Sequence, residues 1–399
     1  METSWPAITT ETLPWKLDSE TRDLIPKSRR RKIGNTYEAA VPAKIATASL
    51  ALPQDLTERI AELMAATARF DARQEARSYN LPAMLLRSES AASSQIENLT
   101  SSARNVALAE LSSKAPNNAQ LIVGNLQAMR RAFATEGEIT CEDILEIHAT
   151  LMNRSGVTFG GSLRTEQVWV GGSGYSPHGA LFVPPSFKRV PELMDDLVVF
   201  AHRDDVQPIA KAAILHAQME TIHPFIDGNG RTGRTLIHKV LTDEEVLRQA
   251  ALPISAGLLH NVDAYMNSIT EYQEGNPIPF IEQLIEALEL AIIVGVRTAH
   301  KMDDVIDNWT SQITERKGSK IHRLPQLLVE QPVVDSALLA KELDITQRAA
   351  MSLIARACEY GMLRPIGNRQ RGEFYQADRI IDVLEEISDI QGIRRILSA

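Results

Sequence analysis

His223-Pro224-Phe225-Ile226-Asp227-Gly228-Asn229-Gly230-Arg231-Thr232-Gly233-Arg234 is the stretch on which the reading of this 399-residue chain turns. It gathers an imidazole, a carboxylate, three glycines and two guanidinium groups into twelve residues. That inventory suits a loop that holds a polyphosphate and moves part of it. Eight positions satisfy the pattern H-x-F-x-(D/E)-G-N-G-R-x-x-R. At about 5% per position, a chance match in a chain of this length is on the order of 10⁻⁸. Taken singly, a histidine before proline or a D-G-N-G run reads as a turn; the complete spacing reverses that reading.

Working outward, Val206–Ile222 predicts a helix, with apolar residues recurring at Ile209, Ala212, Ala213, Ala217 and Ile222. Pro224 breaks it, because proline lacks an N–H and fixes φ. Thr232–Leu247 predicts a second helix, so the glycine-rich loop sits at a helix N-terminus. Free N–H groups and the helix dipole favour phosphate there. Neutral His223 can accept the proton of an attacking hydroxyl. Asp227 can bind Mg²⁺, which prefers one or two carboxylates plus phosphate oxygens. Asn229 and Arg231 can donate to phosphate oxygens, and Arg234, one turn on, can fork onto a terminal phosphate. Phe225 is expected to point inward as an anchor. No G-x-x-x-x-G-K-(S/T) loop, kinase catalytic loop, H-E-x-x-H run or paired-cysteine motif is present.

The run resembles the core motif of the Fic family, whose members mostly transfer AMP from ATP to protein hydroxyls. The resemblance implies a mostly α fold: a Fic-type helical core with a β-hairpin flap. It implies His223 as the base, and Gly228, Asn229, Gly230 and Arg231 as the groups holding the α- and β-phosphates. Arg234 would hold the γ-phosphate. Gln218, one turn before the loop, is a candidate for orienting the nucleotide. Upstream, Gly160–Gly172 and Phe182–Pro185 resemble the family's flap, with β-prone runs at Val168–Val170 and Leu181–Val183. In the family the flap's exposed edge pairs with the protein substrate, so Val168–Val183 is the expected docking segment. Tyr265 and Gln273 fall on an expected helix, Val262–Tyr272, in the region that lines the family's adenine pocket.

Ser93-Ser94-Gln95-Ile96-Glu97-Asn98 resembles the family's inhibitory motif, (S/T)-x-x-x-E-(G/N). Ser93 and Glu97 are four apart and share a helix face. The implied brake is a Glu97–Arg234 pair occupying the space of the γ-phosphate. Thr270, Glu274 and Gly275 also satisfy the pattern, but the wider Ser-Ser-x-Ile-Glu-Asn context favours Glu97.

A composition of 44% hydrophobic and 23% charged residues is that of an ordinary globular protein. The net charge of −9 argues against a broadly basic nucleic-acid or membrane surface. Cys141 and Cys358 fit a reduced, cytoplasmic protein better than a disulfide framework. Residues 1–16 lack a signal-peptide pattern, and Glu282–Val296 reads as a buried helix too short to span a bilayer.

Residues 1–40 read as an extended arm wrapping the body. Leu56–Ala72 and Arg104–Leu111 read as helices within an N-terminal segment, 1–110, that carries the inhibitory motif. The catalytic core is expected over 111–295 and a helical linker over 296–331. From 332 to 399 the order is helix Ser336–Ile345, a second helix capped by Thr346 and running to Tyr360, then strands at Met362–Ile366 and Glu373–Gln376. This resembles a small winged helix-turn-helix. Arg348, Arg356, Arg369 and Arg371 suit phosphate contacts. A net charge of only +1 over 333–376 leaves protein binding or homodimerisation open beside DNA. Two rival functions stay open: removal of AMP or transfer of another group by the same loop, and a DNA-binding regulator whose nucleotide pocket is a sensor.

Overall fold

The computed structural model describes residues 5–17, 19–248, 251–367 and 373–398. It is mostly helical, as expected. Two helices form the centre: Pro208–Ile222, buried on nearly every side, and Asn229–Asp243, which packs along it. The second helix starts at Asn229 and not at Thr232. Gly228 takes a left-handed φ of 80°, so the helix begins directly after it and the loop's Asn229, Gly230 and Arg231 form its first turn. Around this pair lie Asn117–Ala134, Cys141–Met152, Val190–Ala201, Ile254–His260 and Val262–Gln273.

Ile278–Gln312 forms one helix of 35 residues, about 52 Å long at ~1.5 Å per residue. It absorbs the expected buried helix and runs unbroken across the expected boundary at residue 295. Gln54–Glu75 packs on one part of it and Asp378–Ser388 on another. One hydrophobic core therefore extends from Trp5 to Ile396. No helix among the described residues is long and apolar enough to cross a membrane.

The N-terminal arm differs from the expected extended wrap. Thr9–Pro14 and Thr36–Val41 pair as a two-stranded antiparallel sheet, with short helices Ser19–Leu24 and Lys27–Arg30 between them. Ala39 and Ala40 of the second strand are buried, and Trp15 closes edge-to-face on Tyr37 and Trp169. Ala40 N donates to Val183 O at 2.9 Å, tying this sheet to the expected flap.

The helix Leu81–Ile96 carries Ser93 and leads directly into Glu97. It is gripped along its length. Glu89 accepts from Ser255 N and Oγ at 2.7 and 2.6 Å and lies 3.0 Å from His238, all buried. Ser88 Oγ donates to Ile387 O at 2.6 Å, and Arg87 Nη2 to Gln331 at 2.9 Å. The C-terminal module thus rests directly on this helix.

In that module, Asp335 caps Ser336–Leu343 and Thr346 caps Gln347–Glu359 through its side chain, as its position predicts. Arg364–Pro365 and Tyr375–Gln376 pair as expected, and Val333–Val334 adds a third strand. The wing arginines Arg369 and Arg371 lie outside the described residues. Arg348 is exposed, whereas Arg356 pairs with Glu315 at 3.3 Å.

Candidate active site

The helix Pro208–Ile222 ends at His223, whose φ of 50° and ψ of 61° are left-handed. A β-carbon makes that conformation unfavourable, so surrounding contacts must hold it. Buried Arg164 supplies them. Its Nε donates to His223 O at 2.8 Å, and its remaining donors reach Glu166 O and Pro185 O at 3.0 and 2.5 Å. Arg164 N also bonds Pro224 O at 2.9 Å. Burial lowers the Arg164 pKa to about 10, leaving it cationic near neutral pH.

Phe225 is fully buried, as expected, and stacks on His148 with centroids 3.6 Å apart and planes 9° apart. His148 Nδ1 accepts from Gly161 N at 3.0 Å, which places the ring proton on Nε2 for the 3.0 Å bond to Asp227 O. Burial pulls its pKa down to about 4, so the ring is neutral and suited to both bonds. Asn229 completes the loop: its Oδ1 accepts from Phe225 N at 2.8 Å and its Nδ2 donates to Phe225 O at 3.0 Å. The Asn229 side chain therefore braces the loop through both bonds to the Phe225 backbone. What it presents at the helix start is its backbone N–H, with those of Gly230 and Arg231, since the first helical bond is Thr232 N to Gly228 O.

Asp227 is 57% exposed. Its Oδ1 accepts from Gly228 N at 2.6 Å and lies 3.4 Å from Arg231 Nη2. Arg231 also lies 3.4 Å from Glu97 Oε2, an ion pair whose Nε lacks hydrogen-bond geometry. Arg234 is buried. Nε donates to Ser93 Oγ at 2.9 Å, and Nη2 to Ser93 O and Glu97 Oε1 at 2.8 and 2.9 Å. Glu97 stands at the C-cap of its helix, just past the last turn. Burial works to raise its pKa, and the Arg234 and Arg231 charges overcome this, so it sits below the usual carboxylate range.

Glu97, His223, Asp227 and Arg234 line a cavity of about 240 Å³, together with Glu220, Tyr265, Met266, Ile269 and Val170. Larger hollows of about 520 and 600 Å³ open beside Arg87 and Gln326, away from the loop. Burial lowers the His223 pKa to about 4, with Arg164 also opposing a positive charge there, so the imidazole is neutral at physiological pH. Tyr265 OH bonds His216 Nε2 at 2.8 Å and lies 3.5 Å from Arg234 Nη1.

Gln218 and Gln273 are not brought into the cavity. Gln218 donates to Ala43 O at 2.9 Å and accepts from Tyr272 OH at 2.8 Å, because its helix face turns toward the N-terminal segment. Gln273 lies 3.4 Å from Thr221 Oγ1. The expected flap hairpin reduces to two isolated bridges, Val170 to Phe182 and Ser173 to Ser176, with Gly171 and Gly172 at positive φ breaking the extended run. His148, Arg164 and Glu220 belong to the site but were not singled out from sequence. Only Glu220 carried a local signal, three residues before His223 on the same helix face.

Residues 138–241 match the model of the Fic/DOC family, and residues 321–371 match that of an HTH DNA binding domain. A protein adenylyltransferase fic-1 of Caenorhabditis elegans is 28% identical over 187 residues, 45% of this chain and 34% of that protein. A protein adenylyltransferase Fic of Drosophila erecta is 31% identical over 152 residues, 38% of this chain and 28% of that one. The chain spans about a third of the length of these curated relatives. A Fic family protein from Desulfovibrio desulfuricans, solved by crystallography, superposes with a TM-score of 0.56 at 22% identity, covering 82% of this chain and 97% of that one. That likeness concerns the fold. With its braced H-x-F-x-D-G-N-G-R-x-x-R loop, this chain carries a Fic/DOC family domain, joined to a C-terminal helix-turn-helix domain.

Proposed function

We propose that the chain is a protein adenylyltransferase restrained by Glu97, transferring AMP from ATP to a hydroxyl of a protein and releasing pyrophosphate. The observation that carries this reading is the convergence of His223, Asp227, the helix start Gly228–Gly230 and Arg234 on one cavity. Relatives named protein adenylyltransferase support it.

In this reading His223 accepts the proton of the attacking hydroxyl as the new bond forms at the α-phosphorus and the bond to pyrophosphate breaks. The helix N-terminus holds the α- and β-phosphates, and Arg234 holds the γ-phosphate. This chemistry is mostly positioning and charge neutralisation. No cluster of three His, Cys, Asp or Glu able to hold a metal occurs among the described residues. A single exposed carboxylate, Asp227, nevertheless fits Mg²⁺ that arrives with the nucleotide and keeps phosphate and water ligands. When bound, that ion would neutralise charge on the phosphate oxygens.

Restraint by Glu97 is supported by its position. It takes one hydrogen-bonding direction of Arg234 and pairs with Arg231 at 3.4 Å, and the remaining 240 Å³ is below the ~300–1,000 Å³ typical of ligand sites. Protein substrate would dock along Val168–Val183, which forms only isolated bridges and leaves Leu181 exposed. The family match at residues 321–371 supports a second role, DNA contact through the exposed face of Gln347–Glu359, which a gel shift with a salt series tests.

Label transfer from α-labelled and, separately, γ-labelled ATP tests the main reading. Wild type, Glu97→Gly and Glu97→Gly/His223→Ala are compared on the protein itself and on a cell lysate. The expected result is α-label only, strongest in Glu97→Gly and absent in the double variant. Absence of α-label from every variant would overturn the transferase reading in favour of AMP removal or nucleotide sensing.

A further inference from the structure

Glu220 has no part in the mechanism above, yet its carboxyl lies inside the cavity and is only 14% exposed. Five titratable or charged groups face it. His216 and His223 lie on its own helix, with Nε2 at 4.0 Å and Nδ1 at 3.8 Å from its oxygens. Glu97, Arg234 and Tyr265 face it from three other elements. Neither imidazole supplies positive charge, because burial lowers the pKa of His216 to about 3 and of His223 to about 4. Arg234 is thus the cation available, and Glu97 already binds it directly at 2.9 Å.

The crowding is visible at Gly230. A β-carbon built there would meet Glu97 Oε1 at 2.3 Å, Arg234 Nη1 at 2.8 Å and Glu220 Oε1 at 3.2 Å. Two carboxylates and one guanidinium converge on one point. Like charges this close oppose joint ionisation. Glu97 keeps the charge because it has the direct ion pair. Burial pushes Glu220 up to about 7, Arg234 pulling against this and Glu97 adding to it.

The same point is where a terminal phosphate would stand. A phosphate carries about −1.5 to −2 charges near neutral pH, more than the single charge of the Glu97 carboxylate it displaces. Repulsion of an ionised Glu220 therefore grows on binding. A protonated carboxyl becomes a hydrogen-bond donor and removes that repulsion.

We infer that Glu220 is a neutral carboxylic acid in the ATP-bound pocket, donating to the terminal phosphate beside Arg234, so that ATP binding above neutral pH takes up a proton from solvent. This rests on the reading of the cavity as an ATP site. Glu220 then tunes nucleotide affinity to pH and favours a nucleoside triphosphate over a diphosphate for its proton-linked binding.

Calorimetric titration of the full chain with the non-hydrolysable analogue AMP-PNP and Mg²⁺ at pH 8, in buffers of different ionisation enthalpy, counts the protons. The wild type is expected to take up close to one proton per AMP-PNP and little with ADP. Its AMP-PNP affinity is expected to weaken as pH rises above 7, toward about tenfold per pH unit. Glu220→Gln, which keeps a donor without a titration, is expected to bind with no proton uptake and a flat pH profile. AMP-PNP binding without uptake in the wild type, or uptake that persists in Glu220→Gln, would overturn the inference while leaving the nucleotide site intact. Failure of both nucleotides to bind would overturn the ATP-site reading itself and this inference with it. The AMP-PNP and ADP contrast in the wild type decides the matter even if the variant does not fold.

Discussion

The His223–Arg234 loop and the flap both border the cavity, and they are held in opposite ways. Around the loop, Phe225 is buried against His148, Asn229 bonds both polar groups of the Phe225 backbone, and Arg164 clamps the carbonyl of His223. Along the flap, one bridge joins Val170 to Phe182, Leu181 is 87% exposed, and Gly171 and Gly172 interrupt the strand. Groups that act on a bound nucleotide gain from a fixed geometry. A segment that receives another chain gains from unpaired backbone and accessible side chains. Disorder at the loop should therefore harm catalysis, whereas change at the flap should harm docking.

The largest expected effect tests what the braced loop is restrained by. Glu97→Gly is expected to raise self-labelling with α-labelled ATP by roughly 10²–10³-fold, since a broken buried ion pair shifts a balance of about 3–5 kcal/mol. Glu274→Gly, at the second sequence match to the inhibitory pattern, is expected to leave it unchanged. Equal rates for Glu97→Gly and wild type at saturating MgATP would remove the brake.

Next comes the brace itself. In the Glu97→Gly background, His148→Ala removes the stack on Phe225 and the bond to Asp227 O, and is expected to cut kcat about 100-fold. A rate within threefold of the parent, in a variant whose circular dichroism is unchanged, would show that the loop does not need this support.

The flap should respond differently. Leu181→Asp is expected to raise the apparent KM for protein substrate about 5- to 10-fold, leaving the KM for ATP and the overall fold unchanged. An ATP-side effect of equal size would mean that the flap shapes the nucleotide pocket and not the docking edge.

The smallest effect concerns pH. Burial keeps His223 neutral down to about pH 4. At saturating MgATP, the Glu97→Gly rate is therefore expected to change less than about twofold between pH 8 and pH 6. A steep loss as pH falls through 6.5 would show that His223 titrates like an exposed histidine in the working enzyme.

How far the sequence could be read differs between the same two regions. The loop was legible because its residues act within one turn of one another, where backbone geometry sets their spacing. Pro224 ended one helix, and glycine allowed the left-handed turn at 228. The flap was legible as a turn-rich stretch but not as a near-strandless one, since pairing depends on partners outside it. The fold around the wing was readable from Thr346 because capping is also local. Gln218 and Gln273 were misplaced for the opposite reason: which way a helix face points depends on what packs against it. Tyr272 and Ala43 drew Gln218 away from the cavity.

From sequence alone, then, come the loop's chemical inventory, its helix–turn–helix setting, the inward Phe225 and the helix-turn-helix character of the C-terminal end, all consequences of covalent spacing. Packing alone decided that Ser93 also bonds Arg234 across 141 residues of chain, that Arg164 and His148 hold the loop, and that Glu220 is pressed against Glu97, whereas the Glu97–Arg234 pair was legible only through the family resemblance. The reason is that charge, burial and pKa depend on neighbours in space, and no local spacing records which distant residues those will be.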